Sequence, residues 1–120
     1  MKFDVKDYAS HAGLVQQVSE AVQTHGLDLL VNNAGIYNKV SLESGGPELI
    51  VENVEVNAVA PFYLTKSLLP LLRTSAKHQK AAGRKTVVAN ITSQMGSIED
   101  NTSGGHYAYR TSKVCYFYCL

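Results

Sequence analysis

The stretch Tyr109-Arg-Thr-Ser-Lys113 lies downstream of the β-branched run Thr86-Val-Val-Ala-Asn-Ile-Thr-Ser93. Residues four apart on a helix share one face, so the Tyr109 phenol and the Lys113 ammonium should lie one helical turn apart. A cationic Lys113 would stabilise the phenolate of Tyr109 and make Tyr109 a candidate acid or base near neutral pH. Ser93 stands just past the predicted strand and supplies a hydroxyl. Taken alone, a Tyr and a Lys at this spacing usually form an ordinary amphipathic pair.

Two apolar runs predict neighbouring strands of a parallel sheet. Leu27-Asp-Leu-Leu-Val-Asn-Asn-Ala-Gly35 is short, apolar and ends in polar and small residues, which is typical of a strand buried on both faces. Thr86 to Ile91 predicts the second strand, which ends just before Ser93. Ligands of open parallel sheets bind beyond the carboxyl ends of the strands. The residues after these two strands are therefore the candidate site.

A long helix is predicted between the two strands, from Pro47 to Leu72. Its apolar positions recur at helical spacing: they are Leu49, Ile50, Val54, Phe62, Leu68, Leu69 and Leu72. Asn57 lies in its middle, four residues before Pro61. Because Pro61 has no N–H, it cannot donate to the Asn57 carbonyl, and we expect a kink between these two residues. The alternative is that Pro61 only shapes the helix and Asn57 is a tolerated polar residue.

Two further segments complete the predicted organisation. A first helix should start at Asp7 or Ser10, carry an apolar stripe and end at His25-Gly26, where glycine suits a left-handed cap. The polar stretch from Thr74 to Arg84 predicts a solvated helix end followed by a loop.

Composition excludes several classes of protein. With 120 residues, 45% hydrophobic residues and a formal charge of +1, the chain fits one α/β unit and shows no basic footprint for nucleic acid or an anionic membrane. No signal peptide or membrane-spanning stretch is visible, so a cytoplasmic location is expected. Cys115 and Cys119 are expected to be small buried hydrophobes, and the histidines lack metal-ligand spacing, so no metal site is predicted.

Four motifs in order resemble the short-chain dehydrogenase/reductase family. They are Asn32-Asn-Ala-Gly35, Asn57, Ser93 in Ser-x-x-Gly, and Tyr109-x-x-x-Lys113. The resemblance covers nearly the whole chain up to about Val114. Within the family, the stretch from Asn101 to Lys113 looks most like the carbonyl reductases of the sniffer and C-factor type.

The resemblance implies a catalytic role for Asn57, Ser93, Tyr109 and Lys113. Tyr109 would give a proton to a carbonyl oxygen or take one from an alcohol, and Ser93 would hydrogen-bond the reacting oxygen. Lys113 would stabilise the Tyr109 phenolate and hold the cofactor ribose. Asn57 would hold, through its carbonyl, a water that links Lys113 to solvent. Tyr107 lies six residues from Lys113, on a different helix face, and is not a candidate.

The resemblance also implies a nicotinamide cofactor, NADP or NAD, with NADP favoured by the resemblance only. Asp4 and Val5 match the segment beside the adenine, which follows a strand, and Asn33, Ala34 and Gly35 match the turn near the adenine ribose. Tyr109 and Lys113 would contact the cofactor as well. The implied substrate is a small-molecule carbonyl compound, and the complete protein would be a homo-oligomer.

The fold expected for residues 1–120 is α/β, a Rossmann-like doubly wound parallel sheet that is incomplete. It would lack the N-terminal glycine-rich βαβ segment, because neither Gly45-Gly46 nor Gly104-Gly105 follows a strand as a pyrophosphate-binding turn requires. It would also lack the C-terminal strands, because the sequence stops within a turn or two after Lys113. The isolated chain is therefore expected to be inactive. The alternative is a catalytically dead isoform or fragment that acts only through association with a full-length relative. A nucleotide-binding module without chemistry is the weakest interpretation.

Overall fold

The computed structural model describes residues 3–119 and the side chains of residues 3–117. No helix in this part of the chain is long and apolar enough to cross a membrane. Two 3-10 turns, at Tyr8–Ser10 and Gln94–Gly96, accompany the regular elements. These are α1 (His11–Val22), β1 (Leu29–Asn32), α2 (Pro47–Val54), a π-helical segment (Glu55–Val59), α3 (Ala60–Ala81), β2 (Val87–Asn90) and α4 (Tyr107–Cys119).

The chain divides into two compact units. The sheet unit comprises residues 3–32 and 63–90, and the Tyr-Lys unit comprises residues 33–62 and 91–119. In the sheet unit, β1 and β2 are parallel neighbours, and their register pairs Leu29 with Val87 and Asn32 with Asn90. The α/β class and the two predicted parallel strands are confirmed, although each strand is shorter than the apolar run that predicted it.

An apolar cluster forms the core of the sheet unit. Its buried members are Leu30 of β1 and three leucines of α3, namely Leu64, Leu68 and Leu72. The stripe predicted on α1 packs against it through Leu14, Val15 and Val18. Burial of apolar side chains from a strand and two helices is the main force that stabilises this unit.

The end of α1 differs from its prediction. The helix ends at Val22, and Gln23 rather than Gly26 adopts the first positive φ, of 50°. Gly26 also has a left-handed φ of 78°, which favours glycine. A side chain at this position would in addition collide with α3. A Cβ at this position would lie 2.5 Å from the Leu71 carbonyl oxygen of α3, so only glycine permits this approach.

The long helix has an irregular segment ahead of Pro61. Glu55–Val59 is π-helical, and the Ala60 N–H donates to the Glu55 carbonyl, five residues back. Pro61 is the second residue of α3. This irregular segment overlaps the region between Asn57 and Pro61 where a break is expected, and it begins two residues earlier. The helix also continues past Leu72 to Ala81, through most of the polar stretch.

Candidate active site

All four predicted catalytic residues belong to the Tyr-Lys unit. Tyr109 and Lys113 lie one turn apart on α4, Asn57 lies in the π-helical segment, and Ser93 precedes the 3-10 turn Gln94–Gly96. The two residues on α4 meet as their spacing predicts. The Lys113 Nζ lies 5.5 Å from the centroid of the Tyr109 ring.

Lys113 is a buried cation. Its side chain is only 6% exposed, and its Nζ donates a hydrogen bond of 3.2 Å to the Ile91 carbonyl. Burial lowers the pKa of Lys113 from its ordinary value because the charged form is poorly solvated there. The centroid of the Tyr116 ring lies 5.6 Å from the same Nζ. A buried ammonium near two phenol rings can stabilise negative charge that develops on a phenol oxygen.

Ser93 is held by the turn that it begins. Its Oγ accepts the Met95 N–H at 3.2 Å. In the described residues this hydroxyl bonds to backbone and not to the Tyr109 phenol, so the structure does not join these two predicted partners directly. Gly96 explains the rest of the Ser-x-x-Gly motif, because a Cβ there would lie 3.1 Å from the Lys113 carbonyl oxygen. The absence of a side chain at Gly96 lets this turn lie against α4.

A cleft of about 630 Å³ opens beside Ser93. One wall comes from the segment after β2 and the other from α4: the lining residues are Thr92, Ser93, Gln94, Gly96, Ser97, Ile98, Glu99, Val114 and Phe117. Tyr109 is not among them. The cleft has room for a small organic molecule that contacts the Ser93 hydroxyl.

The Asn57 side chain links the loop after β1 to α4. It is 1% exposed, and its Oδ1 accepts the Ile36 N–H at 2.8 Å. Its Nδ2 donates to the Ile36 carbonyl at 2.9 Å and to the Ser112 Oγ at 2.8 Å. The role predicted for Asn57 concerns its backbone carbonyl, whereas its side chain makes three hydrogen bonds that fix the loop to both helical segments.

Ser112 is the site residue that sequence reasoning missed. It is fully buried, accepts from Asn57, and donates through Oγ to the Tyr109 carbonyl at 2.7 Å. Such a bond from a helical serine to the carbonyl three residues back is a common local pattern. The sequence gives one sign of this role, namely that a small hydroxyl residue stands immediately before Lys113. In the structure Ser112 lies on the buried face of α4.

Gly35 brings the predicted ribose-contacting turn next to Lys113. A Cβ at Gly35 would lie 3.2 Å from the Asn57 Oδ1 and 3.9 Å from the Lys113 Nζ. Asn33, Ala34 and Gly35 are exposed, so this turn is open to a ligand. An ammonium has three donors, and the one hydrogen bond described for Lys113 leaves donors that suit the hydroxyl groups of a ribose. The residues present therefore fit a nicotinamide nucleotide at this edge.

Asp4 and Val5 belong to the sheet unit. Asp4 is exposed and accepts the Lys6 N–H at 2.9 Å, whereas the Val5 carbonyl is 3.2 Å from Nε2 of the buried His11. The structure shows a turn at Val5–Lys6. The strand expected before Asp4 falls partly on residues 1 and 2, outside the described part, and Phe3 is not in a strand.

Comparison with known proteins gives the family. The family model described as short chain dehydrogenase matches residues 1–116. The chain belongs to the short-chain dehydrogenase family. The C-signal protein of Myxococcus xanthus is 38% identical over 94 residues, which cover 78% of this chain and 52% of that protein. This family membership confirms the assignment made from the four motifs.

Two solved structures of the short-chain dehydrogenase family match the fold closely. The carbonyl reductase Sniffer of D. melanogaster has a TM-score of 0.89 at 33% identity, covering 97% of this chain and 48% of that one. The NADPH-bound carbonyl reductase from chicken fatty liver has a TM-score of 0.86 at 31% identity, covering 95% and 45%. The chain spans about half the length of these relatives. The Rossmann-type fold and membership of an oxidoreductase family are thereby confirmed.

Proposed function

We propose that this chain carries the acid/base residues of an NAD(P)-dependent carbonyl reductase, which reduces a carbonyl compound or oxidises an alcohol. The observation that carries the proposal is the buried Lys113 ammonium, 5.5 Å from the Tyr109 ring, on a helix that Asn57 fastens through Ser112. A phenol beside a buried cation suits proton transfer to or from a substrate oxygen.

Each residue has a distinct task in this proposal. Tyr109 donates a proton to the carbonyl oxygen, and Lys113 stabilises the phenolate that remains. Ser93, at the rim of the cleft, donates a hydrogen bond to the same oxygen and stabilises its developing charge. Asn57 holds, through its backbone carbonyl, a water that leads from Lys113 towards solvent. The substrate is a small carbonyl compound that fits the cleft beside Ser93.

The cofactor side of the proposal rests on the family and on the turn at Gly35. The nicotinamide supplies the hydride when it is bound. Lys113 and Tyr109 hold its ribose, Asn33, Ala34 and Gly35 lie near the adenine ribose, and Asp4 and Val5 lie beside the adenine. NADP is favoured over NAD because the chicken reductase, which is similar to this chain, is bound to NADPH.

A second candidate function is association with a longer relative, without catalysis by this chain. The sheet unit favours it, because one face of its two strands exposes apolar side chains: Leu29 is 54% exposed, Val31 47% and Val87 44%. Parallel sheets are normally covered on both faces. On either proposal, residues 1–120 alone should bind NADPH more weakly than micromolar and not reduce an aldehyde. Cytoplasmic location and homo-oligomerisation of the complete protein stay predictions.

A hybrid protein separates the two functions. Residues 1–120 replace the matching half of the Drosophila Sniffer reductase, and NADPH oxidation is followed with a simple aldehyde. If the chain supplies working acid/base residues, we expect the hybrid to turn over, the Tyr107→Phe hybrid to match it, and the Tyr109→Phe hybrid to be inactive.

The remaining results each favour a different conclusion. A folded hybrid that binds NADPH but does not turn over would favour the non-catalytic function. Full turnover by the Tyr109→Phe hybrid would remove Tyr109 from the acid/base role. Calorimetry on the 120-residue chain tests its expected inactivity, which micromolar NADPH binding together with aldehyde reduction would contradict.

A further inference from the structure

Two residues outside the predicted catalytic set lie next to the proposed catalytic tyrosine: Tyr37 contacts Tyr109, and His106 contacts Tyr37. The Tyr37 ring meets the Tyr109 ring edge-on, with centroids 5.1 Å apart and an interplanar angle of 67°. The Tyr37 hydroxyl is hydrogen-bonded to Nδ1 of His106, and the two rings are 5.7 Å apart. Edge-to-face contact is a favoured arrangement of aromatic pairs, because the positive ring edge faces the negative ring face. Tyr37 therefore stands between His106 and Tyr109.

The backbone on both sides of Tyr37 is fixed by buried asparagines. Asn57 bonds both the N–H and the carbonyl of Ile36, at 2.8 and 2.9 Å. The Asn38 N–H reaches Oδ1 of Asn53, which is fully buried, at 3.4 Å. Tyr37 consequently has little freedom except in its own side chain, and the bond to His106 fixes that side chain.

His106 is equally constrained, directly before α4. Its φ of 53° is left-handed, which is uncommon for a residue with a side chain, and it follows Gly104 and Gly105 with φ of 59° and 65°. Its carbonyl accepts the Arg110 N–H at 2.9 Å in the first turn of α4. The imidazole is thus attached to the same helical turn that carries Tyr109.

We propose that Tyr37 and His106 are positioning residues that hold the Tyr109 ring in one orientation. The hydrogen bond to His106 fixes the Tyr37 ring, and contact with that ring holds the Tyr109 side chain in one χ1 rotamer, which sets the direction of its phenol oxygen. This inference rests on the proposed acid/base role of Tyr109, because a phenol that transfers a proton must keep its oxygen directed at the substrate.

Simple apolar packing accounts less well for the same contacts. Tyr37 is 48% exposed, so it gains little from burial. Its ring is oriented by a polar bond between residues 69 positions apart, made by a histidine in a rarely adopted backbone conformation. Unusual backbone geometry of this kind is concentrated at functional sites.

The test is nuclear magnetic resonance of the 120-residue chain with labelled aromatic rings, which needs no turnover. The ring signals of Tyr37 and Tyr109, among the seven tyrosines, are assigned by their loss in Tyr→Phe variants. Y37F and H106G each remove the hydrogen bond, from opposite sides, and glycine accepts the left-handed backbone freely. H106N keeps a polar atom near the position of Nδ1 and also tolerates that backbone. Y107F is the matched control on α4.

We expect the wild-type chain to show a cross-relaxation signal between the Tyr37 and Tyr109 rings and a single χ1 rotamer of Tyr109, read from cross-relaxation between its ring and its own Hα and Hβ protons. H106G should lose the signal between the rings, Y37F and H106G should each populate a second χ1 rotamer of Tyr109 to about a tenth, and the double variant should populate it no further than either single one. H106N and Y107F should stay close to wild type. A single Tyr109 rotamer in H106G or Y37F, additive effects in the double variant, or failure of H106N would overturn the proposal. None of these results depends on catalysis, so an inactive hybrid leaves the result interpretable.

Discussion

The two units of the molecule differ in the side chains that fill their interiors. The sheet unit buries a cluster of leucines, represented by Leu30 and Leu68, which are 9% and 3% exposed. The Tyr-Lys unit buries alanines, valines and a tyrosine together with Asn57, Ser112 and Lys113, each 6% exposed or less. Apolar burial contributes free energy in proportion to area, whereas a buried polar group is unfavourable unless it is hydrogen-bonded. Leucine packing therefore dominates the first interior, whereas hydrogen bonds of buried side chains also fix positions in the second.

Polar burial in the sheet unit is of a different kind. Asn32, at the end of β1, donates to Thr65 at 3.0 Å and to Asn90 at 2.8 Å, and its buried Oδ1 has no hydrogen-bond partner in the described residues. These bonds tie a strand end to its neighbours. In the Tyr-Lys unit the bonds of Asn57 lead to the backbone of Tyr109 through Ser112. We therefore expect substitutions in the sheet unit to change mainly the free energy of unfolding, and substitutions in the Tyr-Lys unit to change kcat as well.

The largest effect is expected for Tyr109→Phe in the Sniffer hybrid. Without the phenol proton, kcat for aldehyde reduction should fall about a thousandfold, which is typical for loss of a general acid. NADPH affinity should change little because Lys113 still holds the ribose, and the free energy of unfolding should change little because the ring and its contact with Tyr37 remain. Stopped-flow absorbance and calorimetry measure the two quantities. Tyr107→Phe is the control, and a parallel loss of stability would mean that Tyr109 is mainly structural.

Leu68→Ala tests the sheet unit in the opposite way. Leu68 is 3% exposed within the leucine cluster, so its truncation leaves a cavity and should lower the free energy of unfolding by about 3 kcal/mol. Urea denaturation of the hybrid measures the change. Leu69→Ala, at a position 36% exposed, is the matched control and should cost well under half as much. Equal costs at the two positions would show that this cluster is not the core.

Asn57→Ala should give a smaller loss of stability together with a kinetic effect. It leaves the Ile36 N–H and carbonyl unpaired, with a cost of about 2 kcal/mol. The loop that carries Tyr37 should also loosen, so kcat should fall while the exposed Asn101→Ala control changes neither quantity. A variant that lost stability but kept full kcat would place Asn57 with the purely structural residues.

The fold was largely predictable because it follows from hydrophobic pattern. Continuous apolar and β-branched runs predicted both strands, period-3.6 patterns predicted the helices, and the four family motifs predicted the family. The π-helical Glu55–Val59 was not predictable, since local propensity does not specify an i→i+5 turn. Gly26 was assigned to a helix cap because a sequence does not show that the α3 backbone approaches it.

The candidate site was predictable only where its geometry is local. Tyr109 and Lys113 meet because helical spacing brings them together. The bond between Tyr37 and His106 joins residues 69 apart, and that between Asn57 and Ser112 joins residues 55 apart. No periodicity relates such pairs, so only the folded chain reveals them. The predicted cofactor contacts all remain predictions.

The smallest effect is expected at Asp28, an exposed carboxylate of the sheet unit. Hydrogen bonds to its carboxylate lower the pKa of Asp28. The larger effect comes from the Ser75 hydroxyl, which donates at 2.6 Å, and the next from the Gln79 side chain. A lowered pKa means that ionised Asp28 stabilises the fold above its unfolded-state pKa of about 4, and that this contribution is lost as pH falls through the lower folded-state value.

Asp28→Asn should therefore weaken the loss of stability on acidification. We expect the urea midpoint of the hybrid to fall less between about pH 7 and about pH 3 in the variant than in the wild type. The difference should be small, because the carboxylate is exposed to solvent and its interactions are screened. Glu99→Gln, which removes another exposed carboxylate, controls for the loss of one charge. An identical acid response in wild type and Asp28→Asn would mean that the bond from Ser75 does not distinguish folded from unfolded protein, and that this polar contact adds nothing to the apolar packing of the sheet unit.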